Sequence, residues 1–254
     1  MSKILMTDLG HDPDDAIALS YLIEHAWIPS HIILSPGFPL QVEIAAGICE
    51  AYGVQPKFGF FTSKHLSDNG NYNPGKHKVF TGKPQKTTCL LDDSLTIVGH
   101  EALIIGPAKN IGGKLKCSRM VFQGGYSPNS IHPLEKFKNI NAVQSFNPSG
   151  AKDDFNMLLT SKEIDVKMYV GKNVCHGYTK SDLKQSWEPS EKKVKDFWDT
   201  LKDTKAMHDV LAAMFVSNIR HNFEWERAKP VWFKNKMSTC PTQDSIFTLI
   251  GVDK

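Results

Sequence analysis

The stretch Met6-Thr7-Asp8-Leu9-Gly10-His11-Asp12-Pro13-Asp14-Asp15-Ala16 carries four carboxylates within eight residues, directly behind the apolar run Ile4-Leu5-Met6. An apolar run that stops at a polar corner predicts a short buried strand, and the residues that follow predict a helix. Pro13 suits a first helical position, where its missing N–H costs nothing, and Asp12 stands where the cap belongs. Asp14 and Asp15 then fall in the first turn, where the helix dipole favours negative charge. A plain N-cap needs only one acid. Four at one strand-to-helix corner repel one another, and a cation or a bound polyol relieves that repulsion.

Outward from this corner, short apolar runs alternate with helical patterns. Ala16 to Ile23 is helical, His31 to Leu34 a strand, Gln41 to Tyr52 an amphipathic helix closed by Gly53, and Phe58 to Phe61 a third strand. Leu103-Ile104-Ile105, Met120-Val121-Phe122 and Val166 to Val170 read as further buried strands. Helices are expected over Val194 to Leu201 and Ala206 to Ile219, then β-like aromatic segments at Val231 to Phe233 and Ile246 to Ile250. This rhythm predicts an α/β fold with a mostly parallel central sheet flanked by helices, a Rossmann-like open sheet. In such sheets the ligand lies beyond the carboxyl ends of the strands. Thr62 to Ser94 and Tyr126 to Gln144 read as long irregular loops, of the kind that form lids or stay disordered. No repeat or linker divides the chain, so a single domain over 1–254 is expected.

Composition narrows the function classes. A chain of 254 residues with 41% hydrophobic and 22% charged residues is ordinary for a soluble globular protein. Its net charge of +3 comes with scattered lysines rather than a basic stripe, which argues against a nucleic-acid partner. Cys49, Cys89, Cys117, Cys175 and Cys240 are odd in number and form no CxxC pair, against structural zinc or a disulfide framework. Met1-Ser2-Lys3 runs straight into the first strand without a signal-peptide pattern. No apolar stretch reaches the roughly 18 residues a bilayer requires, so a cytoplasmic protein without a membrane partner is expected. GxGxxG and GxxxxGK[ST] patterns are absent, which sets aside dinucleotide and P-loop readings.

Three other strand ends carry polar groups able to converge with the acidic corner. Ile105-Gly106-Pro107-Ala108-Lys109-Asn110 reads as a tight turn feeding a helix, with the Ile105 carbonyl exposed at the strand end. Ser145-Phe146-Asn147 opens a helix after the second long loop. Met207-His208-Asp209 precedes the apolar run Val210 to Phe215, and an acid beside a histidine there can supply a metal ligand and a proton donor. Singly, each is what an ordinary turn or helix cap looks like. Their order along the chain carries the information.

That order resembles the calcium-dependent nucleoside hydrolases, from about Lys3 to Phe215. The family's D-x-D-P-G-x-D-D cluster, T-G-P-L-T-N turn and G-G turn are echoed at Asp8 to Asp15, Ile105 to Asn110 and Gly124-Gly125. Its E-F-N element, L-D-V-T-H segment and late H-D-P-L-A are echoed at Ser145 to Asn147, Lys172 to His176 and His208 to Ala212. The resemblance implies bound Ca2+, a small-molecule nucleoside or nucleotide substrate, and leaves a homo-oligomer open. It implies that Asp15 and Asp209 hold calcium with the Ile105 carbonyl, that Asp14 contacts ribose hydroxyls, and that Asn147 contacts the sugar. Asp8 matches the first acid of the cluster, and His208 a histidine near the leaving base. A hard cation takes about six to eight oxygens, so carboxylates, a carbonyl, sugar hydroxyls and water can share it. A carboxylate can then deprotonate the water while acids stabilise the cationic sugar.

The sequence departs from that pattern at several positions. Gly10 stands where the family has the aspartate that binds metal and activates water, and Asp12 where it has glycine. The cluster here is closer to a related hydrolase-like branch reading D-x-G-x-E-P-D-D, which makes Asp12 the candidate replacement ligand or base. Ser145 replaces a glutamate on the sugar's 5′ side, and its loss beside Lys136 and Lys138 leaves room for a 5′-phosphate. Phe38 replaces a frequent Asn. The expected activity is calcium-dependent hydrolysis of the N-glycosidic bond of a (deoxy)ribonucleoside, a related ribosyl compound or a 5′-monophosphate. One alternative is a non-catalytic sugar- or nucleotide-binding protein that kept the fold. Another, a metal phosphohydrolase, is disfavoured because no acid-x-acid pair begins at Asp8.

Overall fold

A computed structural model describes residues 1–10, 12–35, 37–61, 75–80, 82, 88–91, 95–127, 145–217, 223–234, 236–241 and 246–252. The acidic corner joins strand β1 (Lys3–Thr7) to helix α1 (Pro13–Glu24). Strand β2 (His31–Leu34), helix α2 (Pro39–Ala51) and strand β3 (Lys57–Phe61) follow. A 3₁₀ turn (Gly75–Phe80) and strand β4 (Thr88–Leu91) come next, both inside the stretch expected to be irregular. Strands β5 (Ile97–Ile104) and β6 (Leu115–Gln123) precede helices α3 (Phe146–Ser149) and α4 (Lys152–Thr160). Strand β7 (Ile164–Val170) leads into helices α5 (Lys172–Cys175), α6 (Lys180–Lys184), α7 (Lys192–Asp199) and α8 (His208–Val216). The chain ends with strands β8 (Phe223–Phe233), β9 (Lys236–Pro241) and β10 (Ile246–Val252).

These strands form one sheet in the order β4-β3-β2-β1-β5-β6-β7-β10-β8-β9. Neighbours from β4 through β10 pair in parallel, and only β8 and β9 run antiparallel to their neighbours. The fold is therefore α/β with a mostly parallel sheet flanked by helices. Alternation along the strands builds two cores. Leu5, Ile32, Leu34, Leu103 and Val121 face the layer that holds α1, α2, α7 and α8. Ile4, Met6, Ile33, Ile104, Met120 and Phe122 face the opposite layer with Phe155 and Leu158 of α4. Burial on both faces explains why these strands read as continuous apolar runs. Helix α8 is buried nearly all round, with Val210 to Met214 and Val216 fully covered, and packs along α1. No helix among the described residues is long and apolar enough to cross a membrane.

Register places the functional corners. Met6 lies beside Ile104, Ile104 beside Phe122 and Phe122 beside Tyr169, so β1, β5, β6 and β7 end level with one another. Gly106 lies so close to β1 that a Cβ there would sit 2.5 Å from the Asp8 backbone nitrogen. Behind the corner, fully buried Gln41 of α2 satisfies two loops at once. Its Nε2 donates to the carbonyls of Leu9 (3.0 Å) and Ser35 (3.1 Å), and its Oε1 accepts from the amides of Gly37 (3.0 Å) and Phe38 (2.9 Å).

Three expectations require correction. The Ile105–Asn110 turn does not feed a helix: Asn110 adopts φ +60°, and a series of turns leads straight into β6. Asp154 of α4 accepts from the Asn110 and Gly112 amides (3.0 and 3.2 Å), so a neighbouring helix satisfies N–H groups there. The helix expected over Ala206 to Ile219 is shorter, because Ala206 pairs with Thr179 as a β-bridge and α8 begins only at His208. The stretch Thr62 to Ser94 contains regular structure, and most of the second long loop, from residue 128 to 144, lies outside the described residues.

Replacing Gln41 by Leu leaves buried amides and carbonyls at two corners without their partner. The expected loss is about 3 kcal/mol of folding stability. Urea denaturation checks it, and a loss below about 0.5 kcal/mol would show that the Gln41 bridge is dispensable.

Candidate active site

Beyond the level ends of β1, β5 and β6 lies a cavity of about 410 Å³ lined by Asp8, Asp12, Asp14, Asp15, Ile105, Gln123, Ser145, Phe146, Asn147, Lys172, His208 and Asp209. The residues given catalytic, sugar-contacting or metal-holding roles from sequence, Asp8, Asp12, Asp14, Asp15, Ile105, Asn147, His208 and Asp209, all line it, whereas Phe38 does not. Asp14 and Asp15 come from the first turn of α1, and Asp209 from the first turn of α8. One oxygen from each of the three lies within 4.8 Å of the others, and all three residues are buried. The Asp209 amide donates to Asp14 Oδ2 (3.3 Å), joining the two helix starts. Thr7 donates its hydroxyl to Asp15 and accepts from the Leu9 amide (3.1 Å), which orients Asp15 from the end of β1.

Burial without full compensation disfavours charge on these acids. Desolvation, with Asp12 beside it, pushes Asp8 up to about 7 even though a backbone hydrogen bond opposes the shift. Asp14 is pushed up to about 8 by burial and by Asp12, against the pull of Lys205. Asp15 and Asp209 are held well above the usual carboxylate range by burial and by the neighbouring acids. The available donors are carboxylates and a carbonyl, all hard oxygens, which fit a hard divalent cation such as calcium and not a soft metal.

Asp12 is placed differently. It occupies the N-cap position of α1, but its side chain makes no capping hydrogen bond. Half exposed, the carboxylate reaches Lys205 Nζ at 2.6 Å. Partial burial works against its ionisation, but Asp14 and Lys205 outweigh that and hold it below its ordinary value. The buried acid trio therefore contains Asp14 rather than Asp12. At Gly10 the backbone has φ +108°, a conformation that side-chain-bearing residues rarely adopt, so an aspartate would be strained there.

The opposite wall is built from β5, β6 and α3. Asn147 Nδ2 donates to the Ile105 carbonyl (3.0 Å), the Gln123 carbonyl (3.2 Å) and Gln123 Oε1 (2.9 Å). With its nitrogen so engaged, Asn147 offers a ligand its Oδ1, an acceptor for a hydroxyl. Ser145 occupies the N-cap position of α3 without a capping hydrogen bond and is buried, while Phe146 is exposed at the rim. Lys136 and Lys138 lie outside the described residues.

His208 opens α8 with Nδ1 3.7 Å from Asp14 Oδ2, too long for a hydrogen bond. Its ring meets His176 edge-on, with centroids 4.4 Å apart, which brings the Lys172–His176 segment to the site. Burial, helped by His176, Lys205 and Lys172, pulls the imidazole down to about 3, so it is neutral at physiological pH. Its Nε2 is buried without a partner among the described residues.

Sequence reasoning missed Lys205, Gln123 and the positioning roles of Thr7 and Gln41. Thr7 stood in the decisive stretch and Gln123 precedes Gly124-Gly125, so position alone could have drawn attention to both. Nothing marks Lys205 among its neighbouring lysines.

The raised carboxylates have a measurable consequence. A group whose pKa is higher folded than unfolded favours folding fully only below its unfolded value near 4, and that contribution fades as pH rises to the folded value. For Asp14 the window runs from about 4 to about 8. In EDTA, Asp14→Asn is expected to match wild type near pH 4 and to melt about 3 °C or more above it at pH 8. Thermal denaturation across that range checks it, and a pH-independent gap would contradict a raised Asp14.

No protein-family model matches the chain, and no curated protein matches it in sequence. Solved structures do match. An inosine-uridine preferring nucleoside hydrolase from Bacillus anthracis superposes with a TM-score of 0.61 at 11% identity, over 99% of this chain and 95% of that one. An inosine-guanosine nucleoside hydrolase gives a TM-score of 0.61 at 12% identity, with the same coverage. At such identity the likeness is one of architecture, and it supplies the conclusion that two layers of helices on a level-ended parallel sheet had suggested: the chain has the nucleoside hydrolase fold.

Proposed function

We propose that the chain is a calcium-dependent N-glycosidase that hydrolyses the N-glycosidic bond of a (deoxy)ribonucleoside or related ribosyl compound, 5′-monophosphates included. The observation that carries this reading is the convergence of buried Asp14, Asp15 and Asp209 with the Ile105 carbonyl and Asn147 in one cavity. Asp15, Asp209, the Ile105 carbonyl and one oxygen of Asp14 would hold the cation. When bound, calcium supplies positive charge that acidifies a water and fixes the sugar hydroxyls.

The chain's own groups do the rest. Asp8, with a pKa near 7, is suited to accept the proton of the attacking water. Asp14 and Asn147 Oδ1 receive sugar hydroxyls, and the buried carboxylates stabilise positive charge on the sugar as the C–N bond lengthens. His208, a neutral imidazole with an unpartnered Nε2, stands beside the departing base. A second reading, a binding protein without turnover, is favoured by the Asp12–Lys205 contact. There the acid that follows Gly10 in the corner is already engaged by the Lys205 ammonium.

A screen of nucleosides and their monophosphates at millimolar calcium, with release of free base as readout, separates the readings. Turnover lost in Asp15→Ala supports the glycosidase; binding without any base release supports the second. Asp15→Ala and Asp209→Ala are each expected to weaken calcium binding by about a hundredfold or more. Tight binding retained in both would sink the site assignment. His208→Ala is expected to slow substrates with poor leaving groups about tenfold more than activated ones. Equal losses would argue against a role at the leaving base.

A further inference from the structure

The contact that removes Asp12 from the acid trio has a specific geometry. Lys205 Nζ lies 2.6 Å from Asp12 Oδ1 and 3.3 Å from Asp14 Oδ1, and donates to the Ala206 carbonyl at 2.9 Å. An ammonium has three protons, and these three oxygens use them all. The Lys205 side chain is 22% exposed and that of Asp14 only 1%, so the inner contact is poorly screened.

This lysine is held from its backbone outward. Lys180 N donates to the Lys205 carbonyl (2.8 Å), Lys205 N to the Lys202 carbonyl (2.9 Å), and Met207 N to the Tyr178 carbonyl (2.9 Å). The segment before α8 is thereby pinned to α6. Its ammonium is directed between the mouth of the acid pocket and a neighbouring cavity of about 370 Å³, which Lys205 lines with Pro13, Phe197 and Leu201.

We infer, resting on the divalent-cation reading of the pocket, that Lys205 is a built-in cation that sets the pocket's metal affinity. It neutralises Asp12 and one oxygen of Asp14, so Asp12 is the counterion of Lys205 and not the substitute for the acid missing at position 10. Cation binding is left to Asp15, Asp209, the Ile105 carbonyl and Asp14 Oδ2. A fixed positive charge this close to a divalent ion opposes its binding, and the charge of Asp12, half exposed and screened by solvent, offsets that only in part.

Calcium titration by calorimetry on the full chain without substrate tests this, with thermal melting in EDTA to verify folding. Lys205→Met is expected to bind calcium about tenfold or more tighter than wild type. Lys205→Arg, which keeps the charge, stays within about threefold. Lys205→Gln gives the second neutral variant should the methionine variant fail to fold. Asp12→Asn weakens binding by less than about fivefold, against about a hundredfold or more for Asp15→Asn. Unchanged affinity in both neutral Lys205 variants, or a loss in Asp12→Asn as large as in Asp15→Asn, overturns the inference while leaving the metal site intact. Folded wild type and variants that all fail to bind calcium would instead overturn the cation reading and this inference with it.

Discussion

Three carboxylates deprived of water at the meeting of two helix N-termini set the terms for the rest of this molecule. Asp14 and Asp15 begin α1, Asp209 begins α8, and their oxygens crowd within 4.8 Å. Each of the two helix starts offers partial positive charge to an anion, but that is worth only about 1 kcal/mol apiece and cannot balance three buried charges. The remainder is met by protonation, by Lys205 or by a bound cation. Everything around the cluster restricts its ability to relax. The α1–α8 packing brings the helix starts together, the Asp209 amide ties them through Asp14, and Thr7 holds Asp15 from the end of β1.

The surrounding scaffold is correspondingly rigid. Gln41 bridges the β1–α1 and β2–α2 corners from beneath, and Gly106 lets β5 approach Asp8 more closely than any side chain would permit. Asn147 fixes the opposite wall by donating to both Ile105 and Gln123. A site built on strand ends and helix starts holds its oxygens in place before a ligand arrives, which lowers the ordering cost of binding. The backbone at Gly10 belongs to the same argument. Its positive φ leaves an acid no easy home there, and the chain carries one at Asp12 instead, on the outer side of the corner.

Much of the architecture was legible because periodicity is a local property. β1, β2, β3, β5, β6, β7 and both α1 and α2 follow from apolar runs and 3.6-residue patterns, and their alternation indicated a parallel sheet. The failures share one cause. Asn110, Ala206 and the segment around Thr88 take conformations decided by partners distant in sequence: Asp154 for the turn after Ile105, Thr179 for the bridge before α8, and β3 for β4. No window of neighbouring residues contains those partners.

The same division runs through the site. By itself the sequence determined that four acids stand at the first strand-to-helix corner, that Asp209 and His208 open a late apolar helix, and that Ile105 and Asn147 lie at strand and helix ends. Residue type and spacing encode that much directly. Only the tertiary structure decided which carboxylates share a pocket, that Asp14 joins the buried trio while Asp12 turns to Lys205, and that His208 is neutral. Electrostatics depends on distance and burial, and strand register and helix packing, not position in the chain, fix both.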